Sequence, residues 1–319
     1  MYPLILKPVI KDYLWGGTRL KKEYGYNSDK KVLAEGWVLS CHKDGSNTVL
    51  NGEFKGKDIT EVLTIWGKGA IGENFDENAT FPILIKLIDA EQKLSLQVHP
   101  DDEYALKNEG ENGKTEMWYI VSCKEGAKLV YGLSKDTSKE EFSRRIKDNT
   151  VTEVLNFVPV HKGDVFFIPS GTVHAIGEGI LIAEVQQNSN STYRVSDYGR
   201  LGADGKPRPL HIEKALDVMD FKKMQRPYGN IGKTVKFETF SERELCSCDK
   251  FLTKTLDIDG ETTIKGEKSF VSLVVLDGKA TLKWENGYAD IKKGDSIFVP
   301  YKMNVKIEGK VQILYSEAR

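Results

Sequence analysis

Two stretches of this 319-residue chain carry one pattern: "HKGDVFFIPSGTVHAI" from His161 and "KKGDSIFVPYKMNVKI" from Lys292. Gly163-Asp164 aligns with Gly294-Asp295, and Pro169 with Pro300. In each copy a Gly-Asp turn feeds an apolar run that ends at Pro, as a short strand between turns does. A looser match upstream sets "EMWYIVSCKEGAKL" beside "FVSLVVLDGKATL", with Glu116 opposite Phe270. The third key position differs, His174 in the first copy against Val305 in the second. A repeated turn-strand unit predicts two related β-barrels. The first carries polar groups where the second carries apolar ones.

The rest of the chain agrees with a mainly β protein. "KLVYGL", "GDVFFIP", "GILIAEVQQ", "SFVSLVVLDGKATLKW" and "DSIFVP" read as strands between Gly-, Asp- or Asn-containing turns. Helical patterns are few: "DITEVLTIWG" near 58–67, "DDEYALKNE" at 101–109, "TSKEEFSRRIKDN" at 137–149 and "HIEKALDVMD" at 211–220. The third opens with Thr137-x-x-Glu140, a capping-box spacing. Residues 222–240 are polar and mixed. They suggest a division into a first domain, 1–235, and a second, 236–319.

Composition excludes several classes of function. The formal net charge is −1 and no basic stripe is present, so neither nucleic acid nor a membrane surface is an expected partner. "MYPLILKPVIKDYLWGG" is too interrupted by Pro and Lys to resemble a secretory leader, and no apolar run approaches membrane-spanning length. Cys41, Cys123, Cys246 and Cys248 form no CxxC pair and read as free thiols. The expected compartment is the cytoplasm. Oligomeric state is not legible. A phosphate loop of the GxxxxGK[ST] or GxGxxG type and a GxSxG nucleophile elbow are absent.

The chemistry gathers on a few strand faces. Side chains alternate across a strand, so Ser95, Gln97 and His99 of "LSLQVH" share one face. Lys114, Glu116 and Trp118 of "KTEMWYI" share another. His174 closes the pattern GDxxxxPxGxxH that begins at Gly163. Gln97, His99, Glu116 and His174 are therefore candidate ligands of one divalent metal, and the mixed donors suit zinc, iron, manganese or nickel. One carboxylate and neutral donors leave a 2+ ion with residual positive charge, which suits an anionic substrate or a developing oxyanion. His42, His161 and His211 are not expected to be ligands. Lys86 interrupts the apolar "FPILIKLIDA" and must be paired, snorkelling or facing a wet cavity. "NSTYRVSDYGR" places Arg194 and Arg200 on a loop-like stretch beyond the strand "ILIAEVQQ".

Taken in order, "FPILIKLIDA", "LSLQVHPDD", "KTEMWYI" and "GDVFFIPSGTVHAIGEGILIAEVQQNSNSTYRVSDYGR" resemble the type I mannose-6-phosphate isomerases in their short bacterial form. The likeness runs through most of residues 1–220. It implies a double cupin, two β-barrels or jelly rolls with a small helical addition. It implies one zinc ion held by Gln97, His99, Glu116 and His174, with a metal-free second domain. The implied reaction interconverts mannose 6-phosphate and fructose 6-phosphate through an enediol or enediolate. By the same resemblance Arg194 and Lys114 are catalytic, and Ser95, Lys86 and Lys114 bind the substrate, a small sugar phosphate. The base that moves the C2 proton stays open among metal-bound water, Glu116, His99 and a pocket lysine. A non-catalytic cupin that binds a sugar or anion is the main alternative, and a metal-dependent oxygenase a second. Metal analysis with a turnover assay separates the three.

Overall fold

The computed structural model describes residues 1–72, 75, 80–202 and 205–319. Its first half is a sandwich of two antiparallel sheets. Six strands lie in the order Val165–Ile168, Glu116–Cys123, Ile180–Gln187, Ile83–Ala90, Glu35–Leu39 and Val9–Lys11. Five face them, in the order Leu155–Pro159, Lys128–Leu133, His174–Ala175, Leu96–Val98 and Tyr193–Ser196. Ile83–Ala90 and Ile180–Gln187 are buried at every position, because they are central and covered on both faces. Trp118, Phe166, Ile120 and Ile182 fill one part of the interior. That leaves the adjoining part for polar groups.

The second half is a nine-stranded sheet curled on itself. Its length comes from Phe251–Lys265, Val271–Trp284 and Asn304–Ala318. Gly260 pairs with Gly309, and Gly309 with Ala280, across these strands. A Cβ on Gly309 would lie 2.7 Å from the Cα of Ala280, so glycine permits the close approach where the strands bend. The N-terminal strand Leu4–Lys7 pairs with Ser296–Val299, so the first residues join the second sheet.

The repeat is real at the level of single bonds. Asp164 Oδ2 accepts the N–H of His161 at 2.8 Å, and Asp295 Oδ2 accepts that of Lys292 at 2.8 Å. Gly163 and Gly294 both take positive φ, +92° and +96°. The ladder register corrects one equivalence. Glu116 pairs with Ile168, and the matching Val299 pairs with Val271, not Phe270. A shift of one residue reverses the face. Phe270 accordingly lies outside the second barrel, stacked with Phe81 and Phe298 at 4.9 Å each. Val271 and Val305 lie within it.

The four expected helical segments form, as Ile59–Trp66, Asp102–Asn108, Lys139–Lys147 and Ile212–Val218. The third is capped one residue later than its sequence suggests. Ser138, not Thr137, accepts the N–H of Glu141. Among the described residues no helix is long and apolar enough to cross a membrane. All four cysteines are free.

Candidate metal centre and active site

Register brings the polar residues together. In the five-stranded sheet His174 pairs with Gln97, and Gln97 with Arg194, so three functional side chains form a row across neighbouring strands. Arg194 is thus on an edge strand, not on the loop its sequence suggested. Pairing with Leu96–Val98 draws it in. In the facing sheet Glu184 pairs with Lys86 and with Trp118, and Gln186 with Glu116. The two rows look at each other across the sandwich.

His99, Glu116 and His174 place their ligand atoms within 4.8 Å of one another, all three buried. His99 Nε2 is 3.6 Å from Glu116 Oε2, and His174 Nε2 is 3.4 Å from Glu116 Oε1. Gln97 Nε2 is 3.3 Å from His174 Nε2. Turned over, the same amide offers Oε1 to the centre. His99 Nδ1 lies 2.9 Å from the carbonyl of Ser191, and His174 Nδ1 2.8 Å from that of Thr172. A carbonyl only accepts, so each ring carries its proton on Nδ1 and turns a bare Nε2 lone pair inward. Burial, with the nearby Lys114 charge, keeps both rings neutral: His99 is held well below its ordinary value and His174 falls to about 4. Burial and the Glu184 charge raise Glu116 to about 7. Glu116 Oε1 has no hydrogen-bond partner although fully buried. Lys114 Nζ sits 2.7 Å from Glu116 Oε2 and 3.0 Å from His99 Nε2, so a cation already rests on these donors. Two neutral imidazoles, a carboxylate and an amide fit a zinc-like ion.

Above the centre is a cavity of about 240 Å³. Ser95, Gln97, Lys86, Lys114 and Arg194 line it, so the expected substrate-binding and catalytic residues all reach this space. Tyr13, Trp15, Glu35, Glu184, Asn190, Thr192 and Arg208 join them. Arg200 does not line it; it bonds Asp197 and the carbonyl of Lys93. Lys86 is buried in a central strand, 3.1 Å from Glu184 and 4.0 Å from Glu35. Burial pulls its pKa down, but the two carboxylates outweigh that and keep it charged. Trp118 Nε1 donates to Glu184 and Trp37 Nε1 to Glu35. Arg194 donates from Nη1 to the carbonyl of Pro209, while its Nε is buried without a partner.

The cations Lys86, Lys114, Arg194 and Arg208 are matched by Glu35, Glu184, Glu116 and Asp197 in and beneath the lining. The lining itself holds four cations against two carboxylates, Glu35 and Glu184, with Glu116 and Asp197 behind it, so it already favours an anion. A divalent ion on the buried donors would add to that positive charge.

His42, His161 and His211 stand apart from the cluster. His161 is exposed, His42 pairs with Glu111, and His211 Nδ1 accepts the N–H of Arg194. Glu184 carried a signal that sequence reasoning passed over, a charge inside the apolar "ILIAEVQQ". Glu35 and Arg208 carried none, since each reaches the cavity only through tertiary packing.

Comparison with known proteins gives one answer. Residues 4–126 match the family model "Phosphomannose isomerase type I, catalytic domain", and residues 241–318 match "Mannose-6-phosphate isomerase, cupin domain". The chain is 38% identical to mannose-6-phosphate isomerase ManA of Bacillus subtilis over 316 residues, 98% of each chain. It is 36% identical to a mannose-6-phosphate isomerase of Streptococcus mutans, covering 99% of this chain and 98% of the relative. A crystal structure of the mannose 6-phosphate isomerase from Bacillus subtilis superimposes with a TM-score of 0.93 at 36% identity, over 99% of this chain and all of that one.

Proposed function

The chain belongs to the type I phosphomannose isomerase family and is an aldose–ketose isomerase, and on that premise we propose that it interconverts mannose 6-phosphate and fructose 6-phosphate with one zinc ion, through an enediol or enediolate. The observation that carries the metal is the meeting of two bare Nε2 lone pairs with a buried, unpartnered carboxylate oxygen. Gln97, His99, Glu116 and His174 would hold the ion. When bound, it supplies Lewis acidity to the substrate oxygens at C1 and C2 and lowers the cost of the negative charge that develops there.

The chain's own residues supply the rest. Lys114 Nζ rests on the lone pairs that an ion would take, so with the centre loaded its ammonium would be free for the cavity it lines. There Lys114 and Ser95 are the proposed partners of the sugar phosphate. Lys86 is less free for that role than its sequence suggested, because Glu35 and Glu184 already flank it. Its part is to hold the cavity floor, and with it the substrate's position. Arg194 lines the same space, with a guanidinium tied to the protein through the carbonyl of Pro209, and is proposed to stabilise the enediolate. A group that accepts the C2 proton and returns it to C1 completes the reaction. Residues 1–235 form the catalytic unit in this account. Residues 236–319 form the metal-free one, since Val271 and Val305 offer no donors there.

The test is turnover of mannose 6-phosphate by chelator-stripped protein before and after zinc is returned. Turnover that depends on zinc supports the proposal. A protein that binds the sugar phosphate but never isomerises it would favour the non-catalytic alternative.

A further inference from the structure

One carboxylate outside the centre is engaged on every side. Glu111 lies in the segment after the helix Asp102–Asn108, and its side chain is 14% exposed. Its Oε2 accepts from the backbone N–H of Asn190 at 2.9 Å and from the hydroxyls of Ser191 and Ser189 at 3.2 and 3.3 Å. Its Oε1 lies 3.0 Å from Lys43 Nζ and 3.2 Å from His42 Nε2. The N–H of Asp44 donates to His42 Nδ1, which leaves the ring N–H at Nε2 facing Glu111, a donor as well. The surroundings of Glu111 are therefore all donors, and only a carboxylate can accept from all of them. Burial works against its charge, but the Asn190 N–H and Lys43 outweigh it and pull its pKa down to about 2.

What Glu111 grips is the 189–191 loop, and Ser191 is the residue whose carbonyl receives the Nδ1 proton of His99. Gln186 holds the start of this loop through the carbonyls of Gln187 and Ser189. The far end rests on Glu111 and, through Asn190 Nδ2, on Asp44 Oδ2 at 2.8 Å, with one internal bond from the N–H of Ser191 to Ser189 Oγ. Asn190 and the following Thr192 also wall the cavity. We propose that Glu111 is a positioning residue for the metal centre, locking Ser191 so that its carbonyl fixes the His99 tautomer with Nε2 bare. This rests on the proposed metal site. Partners of this kind, one step behind a ligand, typically alter metal affinity by about 10–100-fold when removed.

The test uses the full chain, stripped with chelator and titrated with zinc. Glu111→Ala removes the grip. Glu111→Gln keeps the shape but turns an NH₂ toward a donor. Both should raise the zinc Kd by about 10–100-fold. In the metal-free protein, nitrogen NMR should show His99 wholly in the Nδ1–H form in the parent and partly in the Nε2–H form in the variants. Lys43→Ala, which removes only an exposed partner, should shift the zinc Kd less than about threefold, as surface ion pairs are weak. Unchanged zinc affinity in Glu111→Gln, with His99 still in the Nδ1–H form, overturns the proposal. If Glu111→Ala fails to fold, the glutamine variant decides. A parent chain that binds no zinc defeats the metal reading itself, which distinguishes the two failures.

Discussion

Arg194 separates what the cavity does for chemistry from what it does for folding. Among the described residues its guanidinium makes one bond, from Nη1 to the carbonyl of Pro209, and leaves Nε buried and unpaired. Replacing it with Lys loses that bond, worth about 1 kcal/mol, but also removes an unsatisfied buried donor that costs a similar amount. The folded state should therefore change by less than about 1 kcal/mol. Catalysis should suffer more. A donor aimed at a developing oxyanion is worth about 3–4 kcal/mol, so kcat should fall by about 10²–10³. Lys keeps the charge but not the planar fork, and the swap should not be conservative. The assay is initial-rate kinetics on mannose 6-phosphate for the parent, Arg194→Lys and Arg194→Ala, with zinc content and melting temperature measured alongside. An interaction made mainly in the transition state lowers kcat and kcat/KM together. A normal kcat with a raised KM would move Arg194 to ground-state binding. A normal value of both would return it to a surface role.

Three further outcomes are expected. His174→Ala should lose most of the metal and most of the activity together, read by elemental analysis, because the second barrel has valines at the equivalent positions. Free mannose should be turned over far less efficiently than mannose 6-phosphate, since it lacks the dianion through which a remote part of the substrate positions C1 and C2; equal kcat/KM values would refute a dedicated phosphate site. Metal-free protein and its His174→Gln variant should respond differently to acid. His174 has a folded pKa of about 4 against 6.5 ordinarily, so its neutral burial favours folding above pH 6.5. That contribution is lost as pH falls toward 4, and the variant should gain up to roughly 3 kcal/mol relative to the parent, read from urea midpoints.

The repeat was legible because its signal is local: a Gly-Asp turn and a Pro at fixed offsets. Gln97, His99, Glu116 and His174 were legible for a related reason. Polar residues at alternate positions of apolar strands stand out when the period is two. Offsets fail where a strand has no turn to anchor it. The Phe270 equivalence slipped by one position, and the slip matters because neighbours on a strand face opposite ways. Arg194 reads as a loop residue because its strand is short and forms only by pairing at the edge of Leu96–Val98. Glu35, Arg208 and Glu111 could not be read at all. No local pattern marks them: tertiary packing carries Glu35 and Arg208 to the cavity and Glu111 to the 189–191 loop.

In the proposed reaction one zinc ion, held in the first barrel, drives isomerisation. The most direct measurement is a zinc titration of chelator-stripped protein, with conversion of mannose 6-phosphate to fructose 6-phosphate followed at each addition. Activity should rise from near zero and break at one zinc per chain. Full activity in metal-free protein, or a break at two ions per chain, would contradict the account.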